Sequence, residues 1–297
     1  MTLRNPNKSF TRRDWLQLGS GSLVGLAVIG HLSQSSTSNA SENKSAKKKP
    51  TSKKKDLQPN EFHKMVALGE STTAGGWSTS PERCWVSVLA GLINDFQSCP
   101  MHFVNAGIGA NVISTRSPAY EQSGKPAANE RLEKHVLKHD PDLLIISYGL
   151  NDARGGTPLN LFRTELALVV HRVREKIQPL IVLLGPYYMT DFIRDSPLWN
   201  HANLELFKRF NEATAQIALQ QKCLYVDLLA ASGLSDWMVH YDGVHANDLG
   251  HRIIANRIFE VLAQNSSGLA KKTKQAEKTS PRWRGRDEST LKADYGF

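Results

Sequence analysis

The stretch KMVALGESTTAGG, residues 64–76, joins a short apolar run to a turn rich in glycine and hydroxyl side chains. This pattern predicts a buried strand that ends in a tight turn before a helix. A phosphate-binding P-loop is disfavoured because no Lys-Ser or Lys-Thr pair follows Gly75-Gly76, and the G-x-G-x-x-G pattern is also absent. Ser71 is therefore either a structural serine in a turn or helix cap, or a catalytic nucleophile held at the end of the strand.

Outward from this turn, strand-like and helix-like segments alternate along the chain. Short apolar runs predict strands at 65–68, 102–105, 143–147, 180–184 and 224–227. Amphipathic stretches predict helices at 81–96, 128–139, 159–177, 202–220 and 247–262. Such alternation predicts an α/β fold, with a parallel sheet covered by helices on both faces. Ligands of these sheets bind at the carboxyl ends of the strands, so the loops there are the candidate site.

Besides the loop of Ser71, two of these loops carry polar groups of chemical interest. Asn151 follows the third predicted strand, where its amide can donate to a ligand oxygen or close an Asx-turn. Asp242 and His245 lie three residues apart before the last helix. At this spacing a carboxylate can orient an imidazole for nucleophilic catalysis. A metal site that also uses His240 and Asp248, or a purely structural loop, remains open at this point.

Taken in order, four short motifs resemble the SGNH (GDSL-like) hydrolase superfamily. They are Gly69-Glu70-Ser71, Asn105-x-Gly107, Gly149-x-Asn151-Asp152 and Asp242-x-x-His245. The resemblance spans residues 64–263 and implies a three-layer, flavodoxin-like sandwich with a five-stranded parallel sheet. It also implies a serine esterase that needs no metal or other cofactor.

The resemblance assigns a role to each motif. Ser71 would be the nucleophile, His245 its general base and Asp242 the group that orients His245. The oxyanion hole would consist of the Asn151 side chain and the backbone N–H groups of Ser71 and Ala110, with Gly109 as the competitor of Ala110. Ala110 stands where the family usually has glycine, and it would serve with a negative φ. Glu70 stands where the family often has Asp, and it receives no catalytic role.

The net charge of +9 belongs to the two ends of the chain. Residues 1–60 carry 11 basic and 3 acidic side chains, and residues 264–297 carry 8 and 4. Residues 61–263, the expected hydrolase domain, are slightly acidic overall, which argues against a nucleic-acid partner. Segments 41–60 and 264–297 are expected to be a disordered basic linker and a disordered basic tail, available for contact with an anionic surface.

The first 40 residues resemble a twin-arginine export signal. The segment TRRDWLQ, residues 11–17, precedes a small-residue apolar stretch, and cleavage is expected after Ala40. We therefore expect a periplasmic or extracellular protein, and an uncleaved N-terminal membrane anchor is the alternative.

The substrate is less well defined than the reaction. Trp77, Tyr187 and Trp237 fall in loops near the expected cleft, where their rings could contact a sugar or an acyl group. An exported esterase suits the removal of acyl groups from a polysaccharide or a small ester. The alternatives are a lysophospholipase, a thioesterase, or a non-catalytic carbohydrate- or cell-wall-binding module.

Overall fold

A computed structural model describes residues 54–192, 197–279 and 284–296. Five parallel strands form one sheet in the order β2-β1-β3-β4-β5, which is the flavodoxin-like order. The predicted α/β fold with a five-stranded parallel sheet is thereby confirmed. The strands are β1 (Lys64–Gly69), β2 (His102–Gly107), β3 (Leu143–Ser147), β4 (Leu180–Leu184) and β5 (Leu224–Val226).

Helices cover both faces of the sheet. They are α1 (Ser71–Ala74), α2 (Trp85–Phe96), α3 (Tyr120–Ser123), α4 (Ala128–His135), α5 (Leu150–Arg154), α6 (Leu159–Arg174), α7 (Leu204–Gln220), α8 (Leu228–Ser232), α9 (Asp248–Asn265), α10 (Lys271–Ala276) and α11 (Arg284–Tyr295). Helix α2 packs against α9, whereas α6 packs against both α7 and α4. The central strands β1, β3 and β4 are buried almost throughout, and this explains why their sequences are continuous apolar runs.

The order of the strands reverses direction between β1 and β3, which are neighbours in the sheet. At such a point the connecting segments diverge to opposite faces and leave a crevice at the strand ends. Two glycines allow the close packing of α1 beside this crevice. A Cβ on Gly107 would lie 2.0 Å from the backbone nitrogen of Ala74, and one on Gly69 would lie 2.2 Å from Oγ1 of Thr73.

The ends of the folded region differ from the sequence-based boundaries. Helix α9 continues to Asn265, and Leu269 beyond it is only 4% exposed. Leu57 and Gln58, placed in the expected linker, form backbone hydrogen bonds with Asn265 and Gly268. The expectation of a structureless tail from residue 264 is therefore corrected, because its first residues pack on the domain and α10 and α11 are helical.

The proposed export signal at 1–40 and the linker up to residue 53 lie outside the described residues. Among residues 54–192, 197–279 and 284–296, no helix has the length and apolar character needed to cross a membrane.

Candidate active site

Ser71, His245 and Asp242 form a continuous chain of hydrogen bonds at the carboxyl edge of the sheet. The Oγ atom of Ser71 lies 2.8 Å from Nε2 of His245. The Nδ1 atom of the same imidazole lies 2.6 Å from Oδ2 of Asp242. In the neutral ring, Nδ1–H donates to the carboxylate and Nε2 accepts the hydroxyl proton of Ser71. The structure thus brings together three residues that are up to 174 positions apart.

The loop that carries His245 is organised by the side chain of Asp242. Its Oδ1 atom accepts the backbone N–H groups of Val244 and His245, each at 3.0 Å. Burial alone would raise the pKa of Asp242, but these two bonds and the imidazole outweigh burial and lower it below its usual value. Asp242 is therefore a carboxylate at neutral pH, fixed in place beside the ring that it orients.

The imidazole of His245 is held in its neutral form. Burial lowers the pKa of His245 below 6.5, and the charge of Arg154 acts in the same direction, although Asp242 opposes both. A neutral ring with Nε2 aimed at a hydroxyl oxygen can accept a proton. At pH 7 the site is consequently ready for the removal of the Ser71 proton.

Asn151 lies in the first turn of α5, across the crevice from Ser71. Its Nδ2 atom donates one hydrogen to the carbonyl oxygen of Asn111 at 3.1 Å, which fixes the plane of the amide. The second hydrogen of the same group remains as a donor in a pocket that Ser71 also lines.

The turn after β2 brings Gly109 and Ala110 to the same pocket. A Cβ built on Gly109 would lie 3.9 Å from Cβ of Ser71, so this backbone faces the serine directly. The negative φ on which the assignment of Ala110 depended is not observed, since its φ is +52°. The turn requires the left-handed conformation at this position, which an alanine adopts only with strain.

Two buried carboxylates hold the loops of the crevice and were not recognised in the sequence as site residues. Oε1 of Glu70 accepts the backbone N–H groups of Gly149 at 3.2 Å and of Asn151 at 3.1 Å. Asp152 accepts the N–H of Ile113 at 3.2 Å and the hydroxyl of Thr157 at 3.1 Å. Each lies within one of the four sequence motifs, next to a predicted site residue, and this position was the available signal.

Burial determines the ionisation of both carboxyl groups. It raises the pKa of Glu70 well above its usual value, and the nearby charge of Asp152 raises it further. Burial also raises the pKa of Asp152, to about 7. These groups act as hydrogen-bond acceptors within the protein, since Glu70 is 5% and Asp152 0% exposed.

The pocket in front of Ser71 has a volume of about 580 Å³ and includes three further side chains that the sequence did not indicate. They are Lys125, Arg154 and Trp199. The guanidinium carbon of Arg154 lies 5.9 Å from the centre of the Trp199 ring. None of the described lining residues is acidic, so the side chains around the pocket favour negative charge that develops there.

The three aromatic residues predicted near the cleft have different positions. The Trp77 ring lies 5.8 Å from the His245 ring and is 49% exposed. Tyr187 is only 7% exposed and its hydroxyl is hydrogen-bonded to Thr72, so it supports the site from beneath. Trp237 is 71% exposed and does not line the pocket. Trp77 is thus exposed beside the imidazole and Tyr187 is buried, and Trp77, like Trp237, does not line the pocket in front of Ser71.

Comparison with known proteins places this chain within a class of α/β enzymes that hydrolyse esters. The model of the GDSL-like lipase/acylhydrolase family matches residues 67–253. The chain belongs to this family and is an ester-hydrolysing enzyme. The predicted resemblance is thus confirmed at the level of the family. No curated protein sequence matches the chain.

Several solved structures share the fold at low sequence identity. A lipase/acylhydrolase from Enterococcus faecalis has 23% identity and a TM-score of 0.53, over 68% of this chain and 96% of its own. The acetylxylan esterase Axe2 from Geobacillus stearothermophilus has 21% identity and a TM-score of 0.53, over 69% and 96%. An α/β hydrolase enzyme from the metagenome of Lake Arreo, Spain, has 20% identity and a TM-score of 0.52, over 68% and 95%.

Proposed function

We propose that this enzyme cleaves carboxylic esters through an acyl-enzyme formed on Ser71. The observation that carries the proposal is the pair of contacts made by His245, at 2.8 Å to the Ser71 hydroxyl and 2.6 Å to the Asp242 carboxylate. A serine hydroxyl becomes a strong nucleophile only when a base within hydrogen-bond distance takes its proton. The alternative of a non-catalytic binding module has no comparable support, because binding alone does not require an imidazole aligned between a hydroxyl and a carboxylate.

The reaction proceeds in two halves. His245 accepts the Ser71 proton as Oγ attacks the ester carbonyl, and Asp242 stabilises the imidazolium that results. The tetrahedral intermediate collapses when the bond to the alcohol oxygen breaks and His245 donates its proton to that oxygen. Water then attacks the acyl-enzyme with His245 again as the base, which releases the carboxylic acid and restores Ser71.

The negative oxygen of the tetrahedral intermediate is stabilised by donors on both sides of the crevice. We assign this role to the backbone N–H of Ser71, the Nδ2 group of Asn151 and a backbone N–H of the Gly109–Ala110 turn. Ala110 is the residue assigned from the sequence, and Gly109, whose backbone faces Ser71, is an equal candidate because Ala110 does not have the negative φ that its assignment required. Each preorganised donor is worth on the order of 3 kcal/mol in the transition state.

The proposed substrate is a carbohydrate that carries short acyl esters, in particular acetyl groups. The support from the structure is the lining of the pocket in front of Ser71, to which Lys125 and Arg154 contribute cationic rather than apolar side chains. Axe2, which shares the fold, is an acetylxylan esterase, and two of its solved structures carry catalytic mutations, one at a serine and one at a histidine.

The proposed reaction is tested by labelling with a fluorophosphonate probe. We expect the wild-type enzyme to be labelled and to release acetate from acetylated xylan, and Ser71→Ala to lose both properties. A Ser71→Ala variant with full esterase activity would exclude this mechanism. Higher activity on long-chain than on acetyl p-nitrophenyl esters would instead favour the lysophospholipase or thioesterase alternative.

We further propose export by a twin-arginine pathway to the periplasm or the outside of the cell. The support is the sequence around Arg12 and Arg13, followed by the apolar stretch and the small residues before Ala40. Cell fractionation of the wild type and an Arg12→Lys/Arg13→Lys variant tests this. Export of the variant at the wild-type level would contradict the proposal.

A further inference from the structure

A group of stacked rings lies directly beside His245, and the sequence indicated substrate contact for only one of its members, Trp77. Trp77, His240 and Tyr241 form this group, which we call the aromatic platform. The rings of Trp77 and His240 are stacked with centroids 4.8 Å apart and planes 14° apart. Tyr241 lies 3.8 Å from His240 between ring centroids and is 84% exposed. Trp77 and Tyr241 therefore present ring surface to solvent at the edge of the site, while the side chain of His240, which stacks on Trp77, is only 15% exposed.

The backbone at Trp77 is strained. Packing in the core does not account for a tryptophan at this position, because the residue is 49% exposed. Its φ is +66°, a value that bulky residues rarely adopt and that glycine tolerates well. Two glycines precede it, so a third would serve the turn with less strain. Trp77 nevertheless remains half-exposed, and strained residues of this kind are concentrated at functional sites.

The loop that carries Trp77 is fixed on both sides to the site. The N–H of Gly76 donates to the carbonyl oxygen of Ser71 at 2.7 Å. Beyond the tryptophan, the carboxylate of Asp248 accepts the N–H of Thr79 at 2.8 Å and its hydroxyl at 2.6 Å. Asp248 opens α9, three residues after His245, so the platform and the imidazole are held in one arrangement.

The chemistry of the proposed reaction determines which part of a substrate meets this platform. His245 donates its proton to the alcohol oxygen of the ester, so the alcohol portion must lie beside the imidazole. The Trp77 ring is 5.8 Å from that imidazole, whereas the oxyanion donors belong to the pocket on the side of Asn151. The alcohol portion, rather than the acyl portion, is thus the part of the substrate within reach of the platform.

We propose that the aromatic platform binds the pyranose ring of the alcohol portion, so that the substrate is an ester of a carbohydrate. This inference rests on the proposed function and specifies its substrate. A pyranose presents a flat face of C–H groups to an aromatic ring and polar hydroxyls around its edge. The platform matches this pattern, with exposed ring surface on Trp77 and Tyr241 and polar ring or hydroxyl atoms on all three residues. A lipid alcohol would require an enclosed apolar groove instead of an open surface.

The test compares two acetyl esters that differ only in the alcohol. The substrates are an acetylated xylo-oligosaccharide and triacetin, which has neither a pyranose nor an aromatic ring. For Trp77→Gly we expect the ratio of kcat/KM values, oligosaccharide over triacetin, to fall about tenfold, mainly through KM of the oligosaccharide. Trp77→Gly also relieves the strained φ, so its thermal unfolding temperature should not fall. Trp237→Ala, an exposed tryptophan outside the pocket, is the matched control and should leave the ratio unchanged.

A binding measurement keeps this proposal separate from the proposed esterase reaction. Calorimetric titration of Ser71→Ala with a non-acetylated xylo-oligosaccharide should give a Kd that weakens about tenfold in Ser71→Ala/Trp77→Gly. If the wild-type enzyme hydrolysed neither ester, the proposed esterase reaction would be wrong. The titration would still show whether the platform binds the sugar. Sugar binding by the platform would be excluded if folded Trp77→Gly variants kept both the selectivity ratio and the Kd. Equal losses of activity on both esters would exclude it as well.

Discussion

The Oε1 atom of Glu70 lies 3.1 Å from the backbone nitrogen of Asn151 and accepts its N–H. The residue before the proposed nucleophile thereby fixes the start of the helix that carries a proposed oxyanion donor. The same oxygen accepts the N–H of Gly149, so one buried side chain joins the ends of β1 and β3. These are the two neighbouring strands at which the order of the strands in the sheet reverses.

Replacement of Glu70 should therefore affect catalysis through Asn151. In Glu70→Ala two buried N–H groups lose their acceptor, at a cost of about 1–3 kcal/mol each, and the position of Asn151 relaxes. We expect kcat to fall at least about tenfold with a smaller change in KM. Glu70→Gln retains an acceptor oxygen and, like the protonated acid that burial favours, carries no charge, so it should recover most of kcat. Equal activity in the two variants would show that Glu70 has no positioning role.

The Asn151 side chain itself is expected to act only in the transition state. Asn151→Ala should lower kcat by about 10²–10³ with little effect on KM, because one oxyanion donor is lost. Ser71→Ala should lose more than this. Steady-state kinetics with a soluble acetyl ester measures both variants. A large rise in KM at constant kcat would mean that Asn151 binds the substrate without stabilising the intermediate.

The pH dependence of activity should follow the ionisation of His245. Burial, assisted by Arg154, lowers the pKa of this imidazole below 6.5, and only the neutral form accepts the serine proton. The value of kcat/KM for a neutral ester should accordingly be constant near pH 7 and fall with acid, with its midpoint below pH 6.5.

Circular dichroism at each pH would distinguish this titration from acid unfolding. A midpoint clearly above pH 6.5 would contradict the environment seen around His245.

The left-handed backbone at Ala110 provides a test of stability. Ala110→Gly removes the strain of a φ of +52°, while it adds flexibility to the unfolded chain. We expect the free energy of unfolding to rise by about 0.5–1 kcal/mol in denaturant titrations. The matched control is Ala119→Gly, which starts from a φ of −81° at a buried alanine and should destabilise the protein.

The activity of Ala110→Gly bears on the proposed oxyanion hole. The proposed donor is a backbone N–H, so the side-chain change should reduce kcat far less than Asn151→Ala does. A loss as large as that of Asn151→Ala would show that the turn needs the alanine side chain to hold its donor in place.

The sequence identified every strand of the sheet, and the reason is local. Strands β3 and β4 were predicted with their observed bounds because they are buried on both faces and consist of unbroken apolar runs. The ends of the domain were predicted less well. Leu269 lies in a segment of polar composition, and only its contact with the folded core shows that the chain is ordered there.

The same distinction applies to the site. Residue type and position at the strand ends made Ser71, Asn151, Asp242 and His245 candidates, and the resemblance to a hydrolase family supplied their expected roles. The sequence could not show that Tyr187 is buried beneath the site or that Trp77 stands beside the imidazole. These positions depend on contacts between segments more than 100 residues apart.

The sequence by itself thus determined the fold class and the chemical groups, because burial patterns and side-chain chemistry are properties of short segments. Only the tertiary structure decided the positive φ of Ala110, the acceptor role of Glu70 and the stacking of Trp77 on His240. Each of these arises where distant loops meet at the carboxyl edge of the sheet, and packing there overrides local conformational preference.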